Sequence, residues 1–486
     1  MKAQTLQKIL PASALLISIL IHLCIFVAIS GIIVIVAYAP PQAFESDNIQ
    51  PSSGPTDQPP EAIPEQQPDP MATTPDTPPD PTPQTQVANV NTDVITSSNP
   101  SQEFQIAAPP IGAIATNNPE KSSSANIIRK ISLAPTMSAR SGEQRAEAMS
   151  RSGGKEASEQ AVLNALRWLQ KVQNPNGTWG ERWPGAMTGL ATLCYLGHGE
   201  TPMTSREFGS TVEKAINALL DAGAKNEGNM TLRGKDFGDN ESTYEHAIAT
   251  YALCEAYTMT KDERLAPVVT KAVGYILKGQ GPDGGWVYRY TKAVPSDTSV
   301  SGWQIQALKA AKLTGLPIDG IPDALDKAMK NLDRVYNPKT GAYGYHVPTD
   351  RAYSLTGVGV LCKVFWQENI DGSIRQSIKE IMAGPPVKYD LPTCNLYAWY
   401  YHTQACFMVG GGAWAKWNRM FQDEIDRSQD ADGSWPPNPK SKEGLTTADT
   451  VDGSLYRTCL CTLMLEVYYR YLPTGKLSGE VKEDPE

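Results

Sequence analysis

The sequence predicts an all-α protein: a closed ring of six helix pairs, an (α/α)6 toroid of about twelve helices, behind an amino-terminal membrane helix and a disordered linker. Three observations carry this. Residues 11–39 form an apolar run without one Asp, Glu, Lys or Arg. Residues 40–86 hold fourteen prolines among Gln, Thr, Asp and Glu. From residue 158 a pattern of helix, glycine turn, aromatic residue and small-residue helix appears and then returns five times.

The chain has 486 residues and a formal net charge of -9. An acidic balance argues against nucleic acid as a partner, because phosphate binding needs concentrated Lys and Arg. Eight cysteines in so long a chain do not make a disulfide scaffold. Most lie in apolar helical runs (Cys194, Cys254, Cys362, Cys459, Cys461) and read as small buried hydrophobes.

Residues 1–10 are a short tail. The run at 11–39 is long enough for a bilayer span, which takes about 20 apolar residues. It exceeds the roughly 7–15 residue core of a cleaved leader, and Pro40 follows the small residues Ala37-Tyr38-Ala39 directly, so an uncleaved anchor is favoured. Lys2 and Lys8 precede the span, and residues 41–120 contain no Lys or Arg. The expectation is a single-pass inner-membrane protein, amino terminus cytoplasmic and the ring periplasmic. Residues 40–157 read as a linker, Pro-rich and then polar, whose composition cannot repay its ordering entropy. Its task is reach.

The ring is assigned to 158–472, with a polar tail at 473–486. The first helix carries Ala161, Leu163, Leu166, Leu169 and Val172 at helical spacing and stops at Asn174-Pro175-Asn176-Gly177. A second, with Gly189, Ala191 and Leu193, follows over roughly 186–196. Further outer-type helices centre near 216, 272, 328, 379 and 421, and inner-type helices near 250, 306, 358, 403 and 460. Turns fall between them near 228, 285, 343, 388 and 434, the second and fifth copies being degenerate. Such pairs bury their apolar faces only by stacking. A closed ring is favoured over an open solenoid because the last copy, with Leu460, Leu463, Leu465 and Val467, is as apolar as the middle ones.

The clearest turns are Gln173 to Trp179, Gln280-Gly281-Pro282-Asp283-Gly284-Gly285-Trp286 and Gln429-Asp430-Ala431-Asp432-Gly433-Ser434-Trp435. They match the QW motif of triterpene cyclases. Residues 158–472 thus resemble the α/α toroid of the terpenoid cyclase and protein prenyltransferase superfamily. The pattern is most similar to that of uncharacterised planctomycete prenyltransferase and squalene-oxidase-repeat proteins. Trp179, Trp286 and Trp435 are read as clamps on the outer layer, with each indole N–H finding a local acceptor.

The resemblance implies a catalytic acid in an Asp-x-Asp-Asp-Thr motif. Here Asp297 and Thr298 fall on its last two residues, and Ser296 stands where the acid belongs. Asp297, just ahead of an apolar helix, is equally a natural N-cap. The prenyltransferase zinc set is broken as well: Asp452 is present, but Ser454 and Arg457 replace the expected Cys and His. No metal and no cofactor is expected. Tyr244, His246, Asp297, Trp303, Gln304, Tyr353, Tyr400, His402, Gln404, Tyr456 and Arg457 lie near the starts of inner helices. A ring brings those ends to one mouth, so these residues form the candidate ligand site, with His246 and Asp297 the candidate acid–base groups. The favoured reading is a membrane-anchored, non-catalytic toroid that binds an isoprenoid, a glycan or a partner protein. The alternatives are an isoprenoid-processing enzyme of the cyclase and prenyltransferase class, and a carbohydrate-active enzyme.

Overall fold

The computed structural model describes residues 135–234, 238–350, 352–367 and 370–471. The expected membrane span at 11–39, the linker up to 134 and the tail at 473–486 lie outside the described residues. Among the described residues no helix is long and apolar enough to cross a membrane.

A 3-10 turn, Pro135–Arg140, leads into α1 (Gly142–Ser152). The outer layer is α2 (Glu156–Lys171), α4 (Gly209–Lys225), α6 (Leu265–Gly279), α8 (Ile321–Val335), α10 (Gly372–Met382) and α12 (Gly411–Arg427). The inner layer alternates with it: α3 (Pro184–His198), α5 (Ser242–Thr260), α7 (Thr298–Leu313), α9 (Tyr353–Gln367), α11 (Leu396–Val409) and α14 (Val451–Leu465). Two single turns, α13 (Gly444–Thr447) and α15 (Val467–Arg470), flank α14.

The inner helices pack in the order α3, α5, α7, α9, α11, α14, and α14 returns to α3. Outside them α12 meets α2. The ring is therefore closed. Sequence chemistry sets the two layers. The outer helix α8 buries Ile321, Ala324, Leu325, Ala328, Met329, Leu332 and Val335, one helical stripe. The inner helix α3 buries every residue after Pro184. Small residues let inner backbones approach: a Cβ on Gly189 would lie 3.0 Å from the main chain of Ala249 in α5.

The three QW turns do the same mechanical work. Each indole N–H donates to the carbonyl ten residues back, in the last turn of the preceding outer helix: Trp179 to Leu169 at 2.8 Å, Trp286 to Ile276 at 2.8 Å and Trp435 to Ile425 at 2.9 Å. Helix ends leave such carbonyls without helical partners. Each glutamine amide bridges two chains. Gln173 donates to Gly177 O and Thr211 O, Gln280 to Gly284 O and Ala324 O, and Gln429 to Gly433 O and Ala161 O. The second acceptor always lies on the next outer helix, and for Gln429 that helix is α2. One glutamine thus stitches the seam where the end of the chain meets its beginning.

The degenerate copies explain themselves. In the second, Gly228 keeps its left-handed φ, but Met230 replaces the Trp. In the fifth the turn loses its glycine, and Glu424 instead accepts from the Tyr389 N–H at 2.8 Å. The boundary of the folded unit needs correction. Residues 135–157, assigned to the linker from sequence, are folded against the ring. Met137, Ala139, Arg140, Ala148 and Met149 are all buried there. Apolar burial is joined there by a buried charge: Arg140 donates to Glu255 Oε2 at 2.9 Å, to Leu196 O at 3.2 Å and to Arg470 O at 3.1 Å.

Candidate functional site

The residues expected at one mouth divide between two places and a set of local ties. The first place is the start of α7. Asp297 caps the helix: its Oδ1 accepts from Ser299 N at 2.8 Å, Val300 N at 3.3 Å and Ser299 Oγ at 2.5 Å. The Ser299 hydroxyl lies 2.8 Å from Tyr244 Oη, which ties Tyr244 of α5 to the same point. The other carboxylate oxygen accepts from Tyr288 Oη at 3.4 Å and lies 4.0 Å from His346 Nε2. Burial pushes the Asp297 carboxyl up, against the pull of His346 and the Ser299 and Val300 donors.

His346 was among the five histidines in the sequence, with nothing to join it to Asp297. Its Nδ1 faces Ser296 O at 3.1 Å, so that nitrogen carries the proton, and Arg334 holds its carbonyl at 2.7 Å. The fixed ring offers Nε2 toward Asp297. At 4.0 Å the two groups are near neighbours without a direct hydrogen bond. Asp297 itself is shut from solvent, while the His346 side chain is 37% exposed.

His246 takes a different role in the geometry. Its Nδ1 accepts from Met230 N at 3.1 Å, and its Nε2–H donates to Ala272 O at 3.0 Å. Burial lowers its pKa to about 4. In the QW repeats a hydroxyl faces the same main-chain N–H: Thr188 for Trp179, Ser301 for Trp286 and Thr458 for Trp435. His246 is their counterpart in the second repeat, a neutral pin between layers.

Other candidates are also bonded close to home. Gln304 donates to Thr243 O and accepts from Tyr290 Oη. Tyr353 donates to Ile381 O, and His402 Nε2 to Tyr353 O at 3.0 Å. Tyr456 donates to Glu443, and Arg457 to Trp435 O, Leu445 O and Ala448 O. Asp452 accepts from the main-chain N–H groups of Glu181 and Arg182.

The second place is the ring axis. Trp303 of α7 stacks on Tyr400 of α11 across the intervening α9, centroids 5.7 Å apart and planes at 17°. Below them, toward the ends of the inner helices, Tyr471 enters from α15. Its hydroxyl donates to Gln404 Oε1 at 2.6 Å and lies 3.2 Å from Tyr251 Oη. Gln404 and Tyr251 sit on α11 and α5, which face each other across a six-helix ring, so Tyr471 marks the axis. Arg470 lies beside it, donating to Tyr251 Oη at 3.2 Å, with Glu255 Oε1 at 4.0 Å. Burial opposes the charge on Glu255, but Arg140 and Arg470 outweigh it and hold the carboxyl below its usual range. The sequence carries an aromatic run here, Glu466-Val467-Tyr468-Tyr469-Arg470-Tyr471, and nothing in its spacing shows that it turns into the ring. A surface cleft of about 490 Å³ lies elsewhere, between Tyr353 at the start of α9 and Glu380 and Pro385 at the end of α10.

Fold and axis together define a helical toroid whose centre is occupied by its own Arg470 and Tyr471. No family model matches the sequence, and no curated protein matches it. Among solved structures it is similar to an α-1,6-mannanase of Salegentibacter sp., in an inactive variant bound to α-1,6-mannotriose, at 12% identity over 65% of this chain and 99% of that one, TM-score 0.49. It is also similar to a type II terpene cyclase from Scytonema bound to geranylgeranyl dihydroxybenzoate, at 13% identity over 65% and 97%, TM-score 0.43. A protein from Actinoplanes matches at 15% identity over 64% and 99%, TM-score 0.39. Likeness at this level concerns the shape of the chain alone, and the ring stands on its own helix contacts.

Proposed function

We propose that this chain is a membrane-tethered, non-catalytic binding module, anchored by residues 11–39 and carried away from the bilayer by its Pro-rich linker. In this reading the ring is a rigid scaffold and not a reaction chamber. The observation that supports it is the filled axis, where Trp303, Tyr400, Tyr251 and Arg470 are each no more than 3% exposed. A polyprenyl or oligosaccharide substrate has nowhere to lie while those side chains are in place. The Asp297–His346 pair agrees with this, since the carboxylate is spent on capping α7 and does not reach solvent.

The test uses the full-length chain in detergent, incubated separately with geranylgeranyl diphosphate and with α-1,6-mannotriose. Native mass spectrometry reads retention, and chromatography reads products. The expected result is neither retention nor conversion of either probe. Turnover of one of them, lost in Asp297→Asn, would overturn the reading in favour of the corresponding enzyme class.

A further inference from the structure

We propose that the ring axis is itself a binding site for a peptide segment bearing an arginine beside an aromatic residue, filled here in cis by Arg470 and Tyr471. This rests on the binding-module reading and names its partner class.

The walls suit such a ligand. Tyr251, Phe365 and Tyr400 provide aromatic surface, with Phe365 5.7 Å from the Tyr471 ring. Glu255 offers a carboxylate and Gln404 a carbonyl oxygen. The Arg470 guanidinium lies 5.6 Å from the Tyr251 ring centroid, within cation–π range. Arg140 pairs Glu255 at 2.9 Å, so the carboxylate keeps a charged partner when Arg470 leaves.

The occupant is also seated at a cost. Among the described residues, Arg470 Nε and Nη1 and both carboxyl oxygens of Glu466 are buried without a hydrogen-bond partner. Unpaired buried polar atoms penalise the state that holds them, and release of the segment hydrates the two on Arg470. Release leaves the ring's closing contacts in place, since they run through α14 with α3 and through Gln429, although it loosens the hold on residues 135–152, which pack on α15. The segment is four residues of helix long, and its departure gives up three ties: Tyr468 to Asn418 at 2.7 Å, Tyr469 to Glu159 at 3.2 Å and Arg140 to Arg470 O at 3.1 Å.

The experiment uses the full-length chain in detergent and a fluorescent peptide copying residues 466–471. Arg470→Ala combined with Tyr471→Ala removes the two side chains that occupy the proposed site. Fluorescence anisotropy should show the peptide binding this variant at least about tenfold more tightly than the wild type, whose site is open only for the fraction of time its own segment is out. A peptide with Ala in place of its arginine should not bind. A variant that melts cooperatively yet ignores the peptide, or binds the Arg-less one equally, overturns the proposal. Should the variant fail to fold, tryptic cleavage of the wild type after Arg470 decides. Cleavage while the ring stays intact supports a segment that leaves, whereas cutting only in step with cuts inside α2 to α14 refutes it. Geranylgeranyl diphosphate titrated into the same variant separates the two claims. If the variant converts it to product, the binding-module reading falls too; if neither the peptide nor the diphosphate binds, only the peptide site falls.

Discussion

Replacing Gly433 with alanine tests whether the QW turns hold the ring shut. Gly433 has φ of +96°, and a Cβ there would lie 2.3 Å from Asn164 O on α2, across the closing seam. The left-handed conformation alone costs a β-carbon about 1–2 kcal/mol. Real Cβ contacts stay beyond 3.0 Å, so the seam must also open by about 0.7 Å, an overpacking strain of about 1–3 kcal/mol. The sum is about 3 kcal/mol, and for a ring this large about 2 °C of melting temperature per kcal/mol gives a fall of about 6 °C. Two controls divide the cost. Gly315→Ala has a φ of +77° with open space around it, so it should lose only the conformational part, about 2–3 °C. Gly274, inside α6 and also in open space, should gain about 0.5–1 kcal/mol on conversion to alanine. Circular dichroism melts of the four proteins suffice. If Gly433→Ala falls no further than Gly315→Ala, the turn does not bear on α2, and the stitching account of closure is wrong.

Opposite pH responses are expected from two buried histidines. Burial holds His246 at about 4, below its ordinary 6.5, so the neutral form stabilises the fold at higher pH and that stability is lost as pH falls from about 6.5 toward 4. The loss at pH 4 is about 3 kcal/mol, and His246→Gln should flatten that limb in denaturant titrations. Burial opposes the charge on His198, but Glu159 at 3.0 Å and Glu200 at 2.7 Å raise its pKa above the ordinary value. Its contribution is therefore full below about 6.5 and lost as pH rises through the raised value, a decline that His198→Gln should remove. Asp297→Ala should cost about 1–2 kcal/mol as a lost cap, whereas Asp297→Asn, which still accepts from Ser299 N, should cost less; equal losses in thermal melts would argue against capping. Trp286→Phe strands Ile276 O and should destabilise by about 1–3 kcal/mol, with Trp366→Phe, whose indole bonds to Asp326 at the surface, as the milder control.

Most of the architecture was readable because it is periodic. The helix centres follow from apolar spacing, and the QW turns announce the junctions between layers. The substitutions that weaken the second turn, Met230 above all, are visible in the chain itself. The capping role of Asp297 could also be read, since it needs only a helix behind it. What escaped depends on distance through space. His346 reaches Asp297 because consecutive repeats curve, and nothing in the spacing of 297 and 346 encodes that angle. His246 looked reactive because its partners are main-chain groups, which leave no trace in side-chain patterns. Residues 135–152 read as a linker end, yet they bury Met137, Ala139, Ala148 and Met149 on the ring, and Arg140 and Arg470 meet at Glu255, three positions spread over the whole domain. Single-copy contacts of this kind have no repeat to reveal them.

The central claim is that the axis is occupied in the native state, and amide hydrogen exchange of the full-length chain tests it most directly. The N–H groups of Tyr469 and Arg470 both bond to Glu466 O at the mouth of the filled centre. The account predicts exchange slowed at least about hundredfold relative to a free peptide, yet faster than in the middle of α14, because the segment opens without the ring. Exchange at the free-peptide rate would mean that Tyr471 does not rest between Tyr251 and Gln404, and that the ring has an open centre after all.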